Sequence, residues 1–193
     1  MRYADVRGEL KTGDLLFFSG KSRVSELIKW FTGSRWSHVG MVCRVAEYDL
    51  VLCWESTTLS NAQDVHFNRP LQGVQLVPLS ARIEAYDGAV GLRQLLTCLS
   101  DLQLIHLAQL RHELRGRPYE SSKLELLRSA YDGPFGANEE DLSSVFCSEL
   151  VAEAYQRMGL LDNALPANEF TPGEMAAPHF APGQLGPIQE LTK

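Results

Sequence analysis

The sequence lacks long apolar runs and any excess of basic residues. None of its 193 residues belong to an uninterrupted apolar run near the ~18 residues of a membrane-spanning helix. Residues 1–14 lack the apolar segment of a secretory signal. Lysine and arginine number 18 against 24 aspartate and glutamate, a net charge of −6 that argues against nucleic acid as a partner. We therefore expect a protein without an integral membrane segment that is cytoplasmic, unless it is exported by a route that needs no signal.

Motifs for metals and nucleotides are also missing. There is no Cys-x-x-Cys pair, so a structural zinc site has no support. Gly20-Lys-Ser22 ends like a phosphate-binding loop, but Leu15 stands where that loop needs another glycine. His112-Glu113 begins like a zinc-protease helix, but Gly116 stands where the second histidine would be. We expect no metal and no cofactor.

The cysteines do not indicate a disulfide framework. Cys43, Cys53, Cys98 and Cys147 are far apart in a chain that is long enough to fold without cross-links. Reduced thiols are therefore expected. Three of them lie in apolar periodic segments, where a free cysteine is usually a small buried residue. Cys147 is the exception.

The length predicts one domain, residues 1–193, with a sheet in its first half. Apolar runs predict strands at residues 15–18, 38–45, 50–54 and 74–77. Between residues 38 and 45 the apolar period is two, which puts Val39 and Met41 on one face and His38 and Gly40 on the other.

Three helices and an irregular tail complete the prediction. One helix starts at Ser22 or Ser25 and ends at Gly33, and a leucine-rich stripe predicts a second over residues 91–114. A third is capped by Ser143 or Ser144 and runs to Gly159. Five of the nine prolines lie at or after position 166, so the tail from about residue 162 is expected to be surface coil.

Cys147 is the candidate nucleophile, because the predicted helix places it in the first turn. Unpaired N–H groups and the positive end of the helix dipole favour a thiolate there. A buried structural thiol is the alternative interpretation. Cysteine catalysis also needs a histidine base, and this base is adjacent in space rather than in sequence.

His38 is the best-placed base, and Glu55 the best candidate to orient it. Glu55 ends the strand that follows the His38 strand. If paired residue numbers sum to 95, Glu55 lies opposite Gly40 on the His38 face, within reach of the ring. A slip of one residue would move it to the other face.

These residues and their order resemble the circularly permuted branch of the NlpC/P60 papain-like cysteine hydrolases. The resemblance is to the YiiX/YebB-like group and to its lecithin retinol acyltransferase-like relatives, and it spans most of the chain. Histidine before cysteine is the permuted order. The matching segments are residues 13–18, 33–42, 116–120, 146–151 and 170–172. Glu120 departs from the pattern, because aspartate is common there, and residues 56–82 match no motif.

The resemblance implies an α+β, papain-like antiparallel sheet packed against a helix that carries the nucleophile. It implies Cys147 as nucleophile, His38 as base, Glu55 as the third polar residue and Tyr119 near the oxyanion site. Ser37 and Ser148, next to His38 and Cys147, are further candidates for oxyanion or substrate contacts.

We expect a cysteine hydrolase that cleaves an amide of peptide or cell-wall type through an acyl-enzyme. A lipid acyltransferase or thioesterase with the same residues is the first alternative, and pocket shape would separate a peptide-like from an acyl-lipid substrate. A binding module without turnover is the second alternative. The sequence argues against such a module, because it retains all three of Cys147, His38 and Glu55.

Overall fold

The computed structural model describes residues 1–21, 23–59, 61–118 and 143–193. Its strands are β1 (Leu15–Gly20), β2 (His38–Val45), β3 (Leu50–Thr57), β4 (Gln63–Asp64), β5 (Arg69–Pro70), β6 (Gly73–Pro78), β7 (Gly88–Leu95) and β8 (Leu185–Leu191). An antiparallel sheet has the order β6-β3-β2-β1-β7-β8, and β4 pairs with β5 apart from it. The four strands predicted from the sequence are all present.

The helices cover both faces of this sheet. They are α1 (Tyr3–Val6), α2 (Arg23–Thr32), α3 (Leu79–Glu84), α4 (Asp101–Glu113), α5 (Ser143–Arg157) and α6 (Pro172–Ala176). Side chains of α4, α5 and α6 share one apolar cluster with Val39 and Met41. Side chains of α1 and α3 share the other cluster with Val42 and Phe18. Within the described residues, none of the helices has the length and hydrophobicity needed to span a bilayer.

Burial on both faces explains the apolar character of the strands. Leu15, Leu16, Phe17 and Phe18 are all 0% exposed, although alternate residues point to opposite faces. A strand covered on both sides is therefore a continuous apolar run. The expected α+β fold, an antiparallel sheet packed against the helix of Cys147, is confirmed.

The helix predicted over residues 91–114 is present only in its later part, Asp101–Glu113, and the prediction is wrong for the residues before it. Residues up to Leu95 form β7, which pairs with β1 on one side and β8 on the other. The helix begins only at Asp101, after Ser100, whose side chain forms a capping box with Gln103. Leu92 and Leu95 fit a helical spacing with the later leucines, but sheet pairing buries them in separate clusters.

The expectation of an irregular surface tail from about residue 162 is also wrong. Thr171 caps α6 with a capping box to Glu174, and Pro172 occupies the first helical turn, where proline is tolerated. Strand β8 then pairs with β7 at the edge of the sheet, where the proline at position 187 is tolerated. Met175 and Phe180 are buried in the main cluster, at 0% and 2% exposure. Pro172 and Pro187 therefore stand at positions where the missing N–H is tolerated, and they do not indicate coil.

Candidate active site

Strand register brings Glu55 to the face of His38. Met41 pairs with Trp54 and Val42 with Cys53, so the numbers sum to 95 as the sequence analysis required. The same register places Gly40 opposite Glu55, and a Cβ added to Gly40 would lie 3.2 Å from the Glu55 Cβ. Glycine at position 40 therefore leaves room for the carboxylate beside His38.

The His38 ring is fixed by a hydrogen bond and an aromatic contact. Its Nε2 lies 2.7 Å from Oε2 of Glu55, and the two side chains are 9% and 0% exposed. The Phe18 ring packs against it with centroids 5.4 Å apart. The ring is thus held at the start of β2.

Two further residues bind Glu55, and neither was identified from the sequence. Arg82 of α3 donates from Nε to Oε1 at 2.7 Å and from Nη2 to Oε2 at 3.2 Å. Gln75 of β6, the partner of Glu55 in the sheet, donates from Nε2 to Oε1 at 2.8 Å. Each carboxylate oxygen therefore has two contacts. The available signal was a glutamine inside the apolar run 74–77 and an arginine at a core-facing position of α3.

Glu55 is ionised despite complete burial. Burial alone would raise the pKa of the Glu55 carboxyl, but the Arg82 charge and the His38 hydrogen bond lower it well below its usual range. An ionised carboxylate can only accept hydrogen bonds. The network therefore assigns a proton to Nε2 of His38. The other ring nitrogen, Nδ1, is buried and has no hydrogen-bonding partner within the described residues.

Cys147 and Glu55 act on His38 in the same direction. Burial lowers the pKa of His38, but the Cys147 and Glu55 interactions outweigh it and raise the pKa to about 9. A charged His38 is therefore favoured while a negative partner is present on either side.

Cys147 reaches this ring from the other side of the sheet. Helix α5 packs in the cluster of Val39 and Met41, whereas His38 points to the opposite face. The two side chains interact because His38 is the first residue of β2 and lies at the end of the sheet. The alternation of β2 predicts a polar site on the His38 face, but it does not indicate that Cys147 approaches from the other face.

The expected position of Cys147 in the first turn of its helix needs correction. Helix α5 begins at Ser143, so Cys147 is its fifth residue. The first four N–H groups of a helix lack intrahelical acceptors, and the fifth is the first that the regular pattern pairs. Cys147 is also fully buried.

The two candidate serines are engaged within the protein. Ser37 donates to the Phe18 carbonyl at 3.2 Å and accepts from the Gly20 N–H at 3.3 Å. Ser148 is fully buried, and its hydroxyl donates to the Phe170 carbonyl at 2.5 Å. These contacts anchor the segments around His38 and Cys147. Tyr119 lies outside the described residues, so its role stays a prediction.

A cleft of about 230 Å³ lies beside the site at the same end of the sheet, although Cys147, His38 and Glu55 are not among its lining residues. Its strand residues Ser56 and Val74 pair with each other, next to the Glu55 and Gln75 pair. Its helix residues include Phe146, which precedes Cys147. The remaining lining is mixed: Leu110, Leu114, Pro118 and Leu150 are apolar, whereas Arg117, Glu149, Glu153 and Arg157 are charged.

Comparisons with known proteins agree with this fold. A solved structure titled metalloprotein yiiX, from Escherichia coli O157:H7, is 20% identical and superimposes with a TM-score of 0.53 over 95% of this chain and 97% of that one. A search of curated proteins finds no match. A family model described as permuted papain-like amidase enzyme, YaeF/YiiX, C92 family, matches residues 9–167, which include His38, Glu55 and Cys147. The chain therefore belongs to the YaeF/YiiX family of permuted papain-like amidases.

Proposed function

We propose that this chain is a cysteine amidase that cleaves peptide-type amide bonds, with Cys147 as nucleophile, His38 as base and Glu55 as the residue that orients the base. One observation carries the proposal. The His38 ring is bound through Nε2 to a buried, ionised carboxylate, and Cys147 interacts with the same ring, whose buried Nδ1 has no hydrogen-bonding partner within the described residues.

In the first half of the reaction, the Cys147 thiol gives its proton to Nδ1 of His38. The Sγ electron pair attacks the amide carbon and forms a tetrahedral oxyanion. When this collapses, the carbon–nitrogen bond breaks and the proton on Nδ1 passes to the departing amine. The products of this half are the free amine and a thioester on Cys147.

In the second half, Nδ1 of His38 takes a proton from water, which attacks the thioester carbon. Collapse of the second oxyanion breaks the carbon–sulfur bond, releases a carboxylic acid and returns the proton to Cys147. Glu55 stabilises the imidazolium in both halves through its hydrogen bond to Nε2. Tyr119 stays the candidate for the oxyanion donor.

The size and lining of the cleft favour a peptide over a long acyl chain. Its volume of about 230 Å³ lies below the ~300–1,000 Å³ of pockets for drug-sized ligands. Its lining combines apolar side chains with two glutamates and two arginines. A cleft of this kind fits one or two amino-acid side chains, whereas a lipid chain would need a longer apolar tunnel.

The donor set offers little for a metal ion, although the related yiiX structure is titled a metalloprotein. Within the described residues, no three His, Cys, Asp or Glu side chains are grouped so that they could hold one. Both oxygens of Glu55 are already used by Arg82, Gln75 and His38. We therefore route no step through a metal.

The experiment is a substrate panel of fluorogenic dipeptide amides, acyl thioesters and phospholipid vesicles, followed by intact-mass and peptide mass spectrometry. We expect turnover of amides and a trapped acyl group on Cys147. Cys147→Ala should reduce amide turnover at least about a thousandfold. Cys98→Ser is the matched control, because Cys98 is an exposed thiol, and it should keep full activity.

Two results would contradict the proposal. One is amide hydrolysis that persists in Cys147→Ala. The other is turnover of thioesters or phospholipids alone, which would select the acyltransferase or thioesterase alternative instead.

A further inference from the structure

Arg82 is a fully buried cation directly behind the candidate active site. It is 0% exposed and binds both oxygens of Glu55, at 2.7 and 3.2 Å. Its guanidinium also lies over the Phe18 ring, 4.5 Å from the centroid, and 5.0 Å from the Tyr86 centroid. Because Phe18 packs against His38 as well, one aromatic ring contacts both the arginine and the histidine.

Stability alone does not explain this pair. A buried ion pair is often no more stabilising than apolar residues of the same volume, because both charges lose their hydration. Here the network is also incomplete, since Nη1 of Arg82 and Oε1 of Gln75 are buried without a hydrogen-bonding partner in the described part of the chain. An arrangement with these costs is better explained by what the arginine charge does to its neighbours.

The charges in the site balance only when Arg82 is included. The reactive state of a cysteine–histidine pair is a thiolate beside an imidazolium. With Glu55 and Arg82 added, two negative and two positive charges alternate through the buried network. Without Arg82, the same state would carry a buried net negative charge. Without Arg82, the state with no net charge is the one in which Cys147 stays protonated and the His38 imidazolium pairs with Glu55 alone.

We propose that Arg82 is a positioning residue whose fixed charge neutralises Glu55, so that the His38 imidazolium is available to a Cys147 thiolate. This inference rests on the roles of Cys147 and His38 in the proposed function. The other titratable groups that face Glu55 or Arg82 are Cys53 of β3 and Tyr86, which follows α3. Burial keeps the Cys53 thiol protonated, since its pKa is raised well above the usual value.

The test measures thiolate formation without needing a substrate. The pH midpoint of thiolate ultraviolet absorbance is recorded for each protein against its matched Cys147→Ala version. The readout does not depend on reagent access, which matters because Cys147 is buried. Arg82→Met should raise the midpoint by about one pH unit or more, as expected for loss of an adjacent opposite charge. Arg82→Lys keeps the charge and should stay close to wild type.

The double variant Arg82→Met/Glu55→Gln makes the test decisive. It removes both charges, so the thiolate and imidazolium are again neutral together, and the midpoint should return to within about half a unit of wild type. If the role of Arg82 were purely structural, the double variant would disturb the network more than Arg82→Met does, and its midpoint would lie further from wild type. Arg93→Met is the matched control for losing a buried arginine and should leave the midpoint unchanged.

An Arg82→Met midpoint equal to wild type, or a double variant shifted further than the single one, would overturn the inference. If Arg82→Met does not fold, the double variant carries no buried net charge, and its midpoint still decides the question. These midpoints are independent of turnover. A protein with the expected midpoints that hydrolyses no amide would therefore contradict the proposed function and leave the role of Arg82 standing.

Discussion

Among the residues whose side chains the structure describes, each face of the sheet buries one arginine, and the protein uses the two in different ways. Arg82 faces the ionised Glu55 behind the candidate active site. Arg93 of β7 is 4% exposed and donates to neutral groups, the carbonyls of Gly186, Met175 and Ala177, at 2.7 to 3.0 Å.

Their electrostatics differ accordingly. Burial lowers the pKa of the Arg93 guanidinium. Burial would also lower the pKa of Arg82, but the Glu55 charge outweighs it, and that pKa is raised. The comparison separates two uses of one residue type. Arg82 contributes a charge to a titrating network, whereas Arg93 contributes hydrogen bonds that hold the C-terminal segment against the sheet.

The largest expected effect comes from removing the charge that faces Arg82. Glu55→Gln leaves Arg82 buried without a counter-ion and removes the carboxylate that stabilises the His38 imidazolium. We expect amide turnover to fall about a hundredfold to ten-thousandfold. Stability should fall by about 3–5 kcal/mol, as when one partner of a buried pair is removed. Initial rates and urea unfolding measure the two effects.

Gln75→Met is the control for this prediction. Gln75 binds the same carboxylate oxygen as Arg82 but carries no charge. Its loss should reduce turnover by less than about tenfold, the cost of one neutral hydrogen bond. Equal losses in Glu55→Gln and Gln75→Met would show that packing around the site, rather than charge, determines activity.

Removing the Arg93 side chain should lower the free energy of unfolding without changing the turnover rate of the folded protein. Arg93→Met leaves the buried carbonyls of Gly186 and Met175 and the half-buried carbonyl of Ala177 without this donor, at about 1–3 kcal/mol for each buried group left unsatisfied. We expect a total loss of about 3 kcal/mol or more, with the C-terminal segment opening first. Hydrogen exchange of β8 amides, measured beside urea unfolding, reports this directly.

Turnover corrected for the folded fraction should remain close to wild type in Arg93→Met. A changed pH profile in this variant would break the comparison, because it would connect the C-terminal segment to the titrating network.

The smallest expected effect is a pH dependence of the free energy of unfolding, caused by His38 in the network that contains Glu55 and Arg82. His38 has a folded pKa of about 9, against an unfolded value of ~6.5. A raised pKa stabilises the fold fully below the unfolded value, and this contribution is lost as the pH rises through the folded value. Wild type should therefore lose roughly 1–3 kcal/mol between pH 6.5 and 9.

Urea unfolding at pH 6 and pH 9 measures this slope. His38→Asn should flatten it, whereas Arg93→Met should keep it. A slope that survives in His38→Asn would assign the pH dependence to another group.

The sequence alone predicted the candidate catalytic residues and the strands that carry His38 and Glu55. Period-two alternation identified β2, and the length of the turn after it set the register that brings Glu55 opposite Gly40. Apolar runs predicted β1, β3 and β6, and each of these patterns can be interpreted from a few neighbouring residues. The fold class came from the resemblance of five short motifs, in their order along the chain, to a known family.

Only the tertiary structure decided the rest, because it depends on contacts between distant segments. Leu92 and Leu95 happen to continue the helical spacing of the later leucines. Residues 88–95 nevertheless form a strand, because they pair with β1 and β8. The same pairing made the proline-rich tail a sheet edge. Arg82 lies 27 residues from Glu55 in the chain. No local sequence pattern shows that both side chains are buried and therefore form an ion pair.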